Sequence, residues 1–126
     1  MEDNRNHYIL KREVVKIGQE IEVGKGFFES QSETKEGRYK LQKINLKDID
    51  VVIKEIASRE YFHWEDGNHL DRIKKNFEKT PPIILEELNG KYYSVDGHHR
   101  ITVAKELGLS NILAFVIKVN KLTHIR

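Results

Sequence analysis

Five consecutive residues, Asp96-Gly97-His98-His99-Arg100, carry more polar chemistry than a turn requires. Tyr92-Tyr93-Ser94-Val95 before them reads as a strand, and Ile101, Ala104 and Leu107 after them share one helical face, so the loop must lead a strand into a helix's first turn. A helix start presents backbone N–H groups that have no partner within the helix, at the positive end of its dipole; phosphate is the natural occupant. Gly97 supplies backbone freedom, and the planar fork of Arg100 can grip phosphate oxygens at two points. A cation in the first turn opposes the helix dipole by about 0.3–1 kcal/mol. Arg100 is therefore expected to have an anionic partner, either a ligand or a carboxylate elsewhere in the fold. His98 and His99 can donate hydrogen bonds or bind a metal near neutral pH, while Asp96 can hold Mg2+ or accept a proton. In the competing reading, Asp96 caps the helix and the histidines solvate a loop.

A second cluster, His63-Trp64-Glu65-Asp66 with His69, is the other candidate wall of such a pocket. Glu65 or Asp66 would serve as an acid or base, His63 and His69 would join Asp96 around a metal, and Trp64 would stack on a base. For the histidines the plainer reading is preferred: Phe62 and Trp64 pack as core, and Glu65-Asp66-Gly67 is a turn.

These groups need a scaffold, and 126 residues with 38% hydrophobic and 33% charged side chains suffice for one modest core. No window is long and apolar enough to span a membrane and the N-terminus lacks a secretion-signal pattern, so a cytoplasmic location and no membrane partner are expected. Without cysteine there is no disulfide, thiolate ligand or thiol nucleophile. A net charge of +2 does not itself announce nucleic acid; the basic tail Lys118, Lys121, His124, Arg126 reads as a solvated end.

Along the chain, one or two short strands are expected between Tyr8 and Phe28, a polar loop from Glu29 to Gly37, and a strand from Arg38 to Leu46. Ile49, Val52, Ile53 and Ile56 predict a helix from about Lys47 to about Glu60, followed by a loop over Tyr61 to Gly67. Asn68 would cap a second helix with the stripe Leu70, Ile73, Phe77, stopped at Thr80-Pro81-Pro82. Asn89-Gly90 predicts a hairpin pairing Ile83–Glu87 with Lys91–Val95. Gly108 is placed to close the last helix, and Asn111 to Val119 is a buried strand.

From Ile44 to Val119 this order of elements, with Pro81-Pro82-Ile83-Ile84-Leu85 and Tyr93-Ser94-Val95-Asp96-Gly97-His98-His99-Arg100, resembles the ParB/sulfiredoxin superfamily. The resemblance implies an α+β fold, a small mixed sheet with packed helices, over residues 44–126, leaving residues 1–43 as an N-terminal β extension that it does not explain. It also implies nucleotide binding (ATP, ADP or CTP) by Gly97, His98, His99 and Arg100, with Mg2+ at Asp96. Sulfiredoxins have a Gly-Cys-His-Arg loop; here His98 stands at the cysteine position, which excludes their thiol chemistry. Partition proteins have a Gly-Glu-Arg-Arg type loop, bind CTP and continue into DNA-binding and dimerisation regions. The free-serine kinases of this fold have an Asp-Gly-His-Thr-Arg type loop, similar apart from His99, and use an acidic base, for which Glu65 or Asp66 is the candidate. Small members are also labelled ParB-like nucleases. The expectation is thus nucleotide binding with Mg2+-assisted phosphoryl transfer or phosphodiester hydrolysis, in which Asp96, His98 and Glu65 act catalytically. The alternative is a non-catalytic module that senses nucleotide or holds DNA or a protein; self-association is left open.

Overall fold

A computed structural model describes residues 1–24, 27–28, 34–50 and 67–122, the side chains of 67–69 excepted. In chain order the strands are β1 (His7–Leu10), β2 (Glu13–Lys16), β3 (Glu20–Val23), β4 (Gly37–Asn45) and β5 (Ile49–Asp50). Helix α1 (Gly67–Lys75) follows, then β6 (Ile83–Leu88), β7 (Lys91–Asp96), α2 (His98–Glu106) and β8 (Asn111–Lys118). Single 3-10 turns occupy Leu46–Asp48 and Phe77–Lys79.

The unbroken apolar run of β8 needs two covered faces, because alternate side chains point to opposite sides of a sheet. It lies inside a six-stranded mixed sheet of order β3-β4-β8-β6-β7-β5. It runs antiparallel to β4 and parallel to β6. Ile112, Ala114 and Val116 face one core with Leu70 and Phe77 around α1 and Ile101, Val103 and Ala104 of α2. Leu113, Phe115 and Ile117 face a second core with Val15, Tyr39 and Leu41, against which Tyr8, Leu10, Phe27 and Phe28 pack. This is an α+β fold in which helices cover one side of the sheet and the N-terminal strands the other.

Several expectations are corrected. The N-terminal stretch holds three strands rather than one or two, and β1 and β2 form their own antiparallel hairpin. Its turn residues Lys11 and Arg12 have φ of 48° and 73°, a left-handed pair that Asn-Gly usually supplies. For side chains with a Cβ this costs roughly 1–2 kcal/mol per residue, which the packing of Tyr8, Leu10 and Val15 must offset. The division expected at residues 43 and 44 falls within β4, a strand continuous to Asn45 and paired with β8. The expected helix does not start at Lys47: that residue lies in a 3-10 turn, and Ile49 is in β5, parallel to β7. Residues 51–60 of it lie outside the described residues. Helix α1 begins at Gly67, so Asn68 is inside it rather than at its cap. The hairpin β6–β7 turns at Asn89 and Gly90, with φ of 53° and 79°, as Asn-Gly predicts.

The first residues tie the extension to the sheet. Asp3 is 3% exposed. Its Oδ2 accepts from the Leu113 N–H at 3.0 Å and from Arg5 Nη2 at 2.8 Å, while Oδ1 accepts from Arg5 Nε at 3.0 Å. Arg5 Nη1 donates to the Thr80 carbonyl, and its guanidinium lies 5.3 Å over the Phe77 ring. Burial pushes the Asp3 carboxyl up, but the Arg5 hydrogen bond, the Leu113 N–H and the Arg5 charge outweigh it and hold the pKa below 3.8. Asparagine keeps one acceptor oxygen but no charge and sets an NH2 donor against Arg5 or the Leu113 N–H, so Asp3→Asn is expected to cost about 3 kcal/mol and lower Tm by about 10 °C in thermal unfolding. With the folded pKa depressed, this stabilisation is complete above pH 3.8 and is lost as pH falls through the folded value. Below pH 4, acid titration followed by circular dichroism should show the wild type losing its advantage over the variant.

Candidate functional site

Strand β7 delivers the loop to the sheet's end through a bulge. Ile84 pairs with Asp96 but Leu85 with Ser94, so one step along β6 spans two along β7, and Val95 is the extra residue. Leu85 packs in the helix-side core and Ile84 in the opposite one. Without the extra residue Asp96 would share the face of Ser94, two positions before it. With it, Asp96 stands across from Ile84 and lines the cavity beneath the N-terminal hairpin.

Gly97 then starts α2 with φ of 109°, and the cap has no side-chain hydrogen bond. Asp96 therefore does not cap the helix, contrary to the competing reading. A Cβ at Gly97 would meet Ile83 Cγ2 at 2.4 Å and Ile83 Cβ at 2.8 Å, so close approach and backbone conformation both call for glycine.

The expected partner of Arg100 is Asp96 itself. Arg100 Nη2 donates to Asp96 Oδ2 at 3.0 Å, and Nη1 donates to the carbonyls of Pro81 at 2.8 Å and Pro82 at 3.0 Å. The Arg100 side chain is 14% exposed. Burial pulls its pKa below arginine's ordinary value, opposed by the charge and hydrogen bond of Asp96; arginine nonetheless stays protonated at ordinary pH. Both groups expected to await a phosphate or a metal thus hold each other. The pair still faces a cavity of about 600 Å³, walled by Tyr8 to Lys11, Phe27, Phe28, Pro81, Pro82, Ile84 and Phe115.

The remaining expected residues are placed differently. His98 Nε2 lies 2.9 Å from Ser94 Oγ, so its ring is turned to β7, and neither His98 nor His99 lines the cavity. Glu65 lies outside the described residues, as do His63, Trp64 and Asp66 and the side chain of His69. Among the described residues no three metal-ligating side chains cluster. The cavity residues that sequence reasoning missed are those of the N-terminal segment. The signal was there: Tyr8 and Leu10 alternate with Ile9, and Phe27-Phe28 is an aromatic pair, Phe28 meeting Tyr39 edge-to-face at 5.2 Å and Phe115 at a tilt at 5.4 Å. Gly97→Ala combines a positive φ with the Ile83 clash and is expected to cost roughly 2–4 kcal/mol in denaturant unfolding.

The model of the ParB N-terminal domain matches residues 30–126. Among solved structures, sulfiredoxin from Arabidopsis thaliana is similar with a TM-score of 0.50 and 22% identity, over 63% of this chain and 85% of that one. The C-terminally truncated chromosome-partitioning protein ParB from Caulobacter crescentus, complexed with CTP-gamma-S, has a TM-score of 0.47 and 14% identity, over 63% of this chain and 44% of that one. SbnI from Staphylococcus aureus, with a C-terminal truncation, gives 0.45 and 23%, over 61% and 30%. The chain thus spans less than half of the latter two structures. No curated protein matches it. No helix among the described residues is long and apolar enough to cross a membrane. By the match to three quarters of its length, the chain belongs to the ParB N-terminal domain family.

Proposed function

We propose that this domain binds a nucleotide in the cavity over Arg100, with phosphate oxygens at the guanidinium and the base against the aromatic wall. The observation that carries this reading is the cavity itself: about 600 Å³, with a buried cation at one side and Tyr8, Phe27, Phe28 and Phe115 in its lining. That volume lies within the range of roughly 300–1,000 Å³ usual for small-molecule sites, where a few polar groups orient a ligand among apolar ones. A base stacked on such rings gains roughly 1–3 kcal/mol. Three described acceptors engage only part of the guanidinium fork, and a phosphate would compete with Asp96 for it. The ParB of Caulobacter crescentus, whose structure holds CTP-gamma-S, makes CTP a ligand to try beside ATP and ADP.

Binding comes before catalysis in this reading, because Asp96, the one acidic side chain among the described residues of the cavity lining, is held by Arg100. A Mg2+ there would draw its other ligands from phosphate and water, and Asp96 would have to release Arg100 to reach it. A second reading, DNA binding, has the exposed Arg72, Lys74 and Lys75 in the last turn of α1 behind it; its mark would be an affinity falling steeply with salt.

Thermal shift with ATP, ADP, CTP and GTP, each with and without Mg2+, should show stabilisation by at least one nucleotide. Arg100→Lys keeps the charge but loses the fork, and should weaken that nucleotide about tenfold or more in calorimetric titration; unchanged affinity would defeat the reading. Asp96→Asn separates sensing from metal-assisted chemistry. Without Mg2+ it should tighten binding severalfold, by removing a competing negative charge. If Asp96 holds the metal, the same variant weakens binding in Mg2+ and abolishes any turnover found by product analysis.

A further inference from the structure

The family match begins at residue 30, yet Tyr8, Ile9, Leu10, Lys11, Phe27 and Phe28, half of the cavity's lining, precede it. A ligand in the cavity would therefore meet the N-terminal segment as well as the Arg100 loop. Most of the N-terminal wall is apolar or aromatic. Among the described residues Lys11 is its one charged member.

Lys11 stands at the tip of the β1–β2 hairpin in a left-handed conformation, beside Arg12 in another. Two-residue hairpin turns of this kind favour Asn-Gly, which the same chain uses at Asn89-Gly90. At the turn over the cavity it instead places two long cations at conformationally disfavoured positions. The Lys11 ammonium lies 4.2 Å from the centroid of the Phe27 ring, another cavity residue. Lys11 is exposed, and among the described residues no carboxylate forms an ion pair with it. A ring face holds an ammonium weakly when solvent is near, so a phosphate that enters the cavity can take the ammonium from it.

We infer that Lys11 is a ligand-binding residue, a second anchor for negative charge in the cavity that Arg100 also lines, which strengthens the hold on a ligand carrying more than one phosphate. This rests on the nucleotide reading of the cavity. It adds that specificity for phosphate number resides in the N-terminal hairpin.

The test uses the full chain with inorganic tripolyphosphate, a nucleoside triphosphate that stabilises it, and the corresponding monophosphate, each followed by calorimetric titration. Lys11→Asn gives the turn a residue that it prefers, so Tm should hold or rise by a few degrees while affinity for both triphosphates falls about five- to tenfold. The monophosphate should change less than twofold. Lys11→Arg should keep the wild-type affinity, as should Lys16→Asn, which removes the same charge from β2, outside the cavity lining. Equal affinities for Lys11→Asn and Lys16→Asn would overturn the inference, as would an equal loss for mono- and triphosphate. If Arg100→Lys weakens binding and Lys11→Asn does not, this inference alone falls; if the wild type binds none of the probes, the nucleotide reading falls with it.

Discussion

A buried guanidinium cannot be left without acceptors, and the local architecture follows from that demand at Arg100. At 14% exposure, in the first turn of a helix whose dipole repels it, the side chain needs negative charge nearby. Three features of the chain bring acceptors to it. The Val95 bulge turns Asp96 to the same side, the left-handed Gly97 lets the helix begin directly against Ile83, and Pro81-Pro82 direct two carbonyls at Nη1. A phosphate arriving there would compete with charge already in place, and would have to displace Asp96 as the ion-pair partner of Arg100 instead of filling an unsatisfied hole.

The second constraint is the apolar character of β8 on both faces. One face is met by the helices. The other is met by N-terminal strands that begin before the family match, locked down through Asp3 to the backbone of β8 itself. Fold and cavity are thereby linked, since the residues that cover Phe115 also wall the space above Arg100.

How much of this could be read from the amino acids differed with the range of the cause. Asn89-Gly90, Gly97, Gly108 and the β8 run carry their meaning locally, in a required φ or an unbroken apolar stretch, and the structure bears out the elements expected from them. Ile49 misled because its spacing with Val52 and Ile53 suits a helix, whereas it pairs with Tyr92 in β7. The β1–β2 turn was concealed by Lys11-Arg12, residues with no preference for left-handed backbone. At the site, the need of Arg100 for an anion was legible from its place in the helix, but not that Asp96 would supply it. That outcome depends on a one-residue register shift between two strands, which no local pattern announces.

The hairpin is a sheet of its own, joined to the six-stranded one among the described residues chiefly through side chains, the backbone links of Gly18 and Gln19, just after it, to Leu41 excepted. Lifting it would break few main-chain bonds but would wet Leu113, Phe115 and Ile84. Water's aversion to that floor would therefore act as a spring against any such lifting, holding the hairpin over the sheet by its apolar underside.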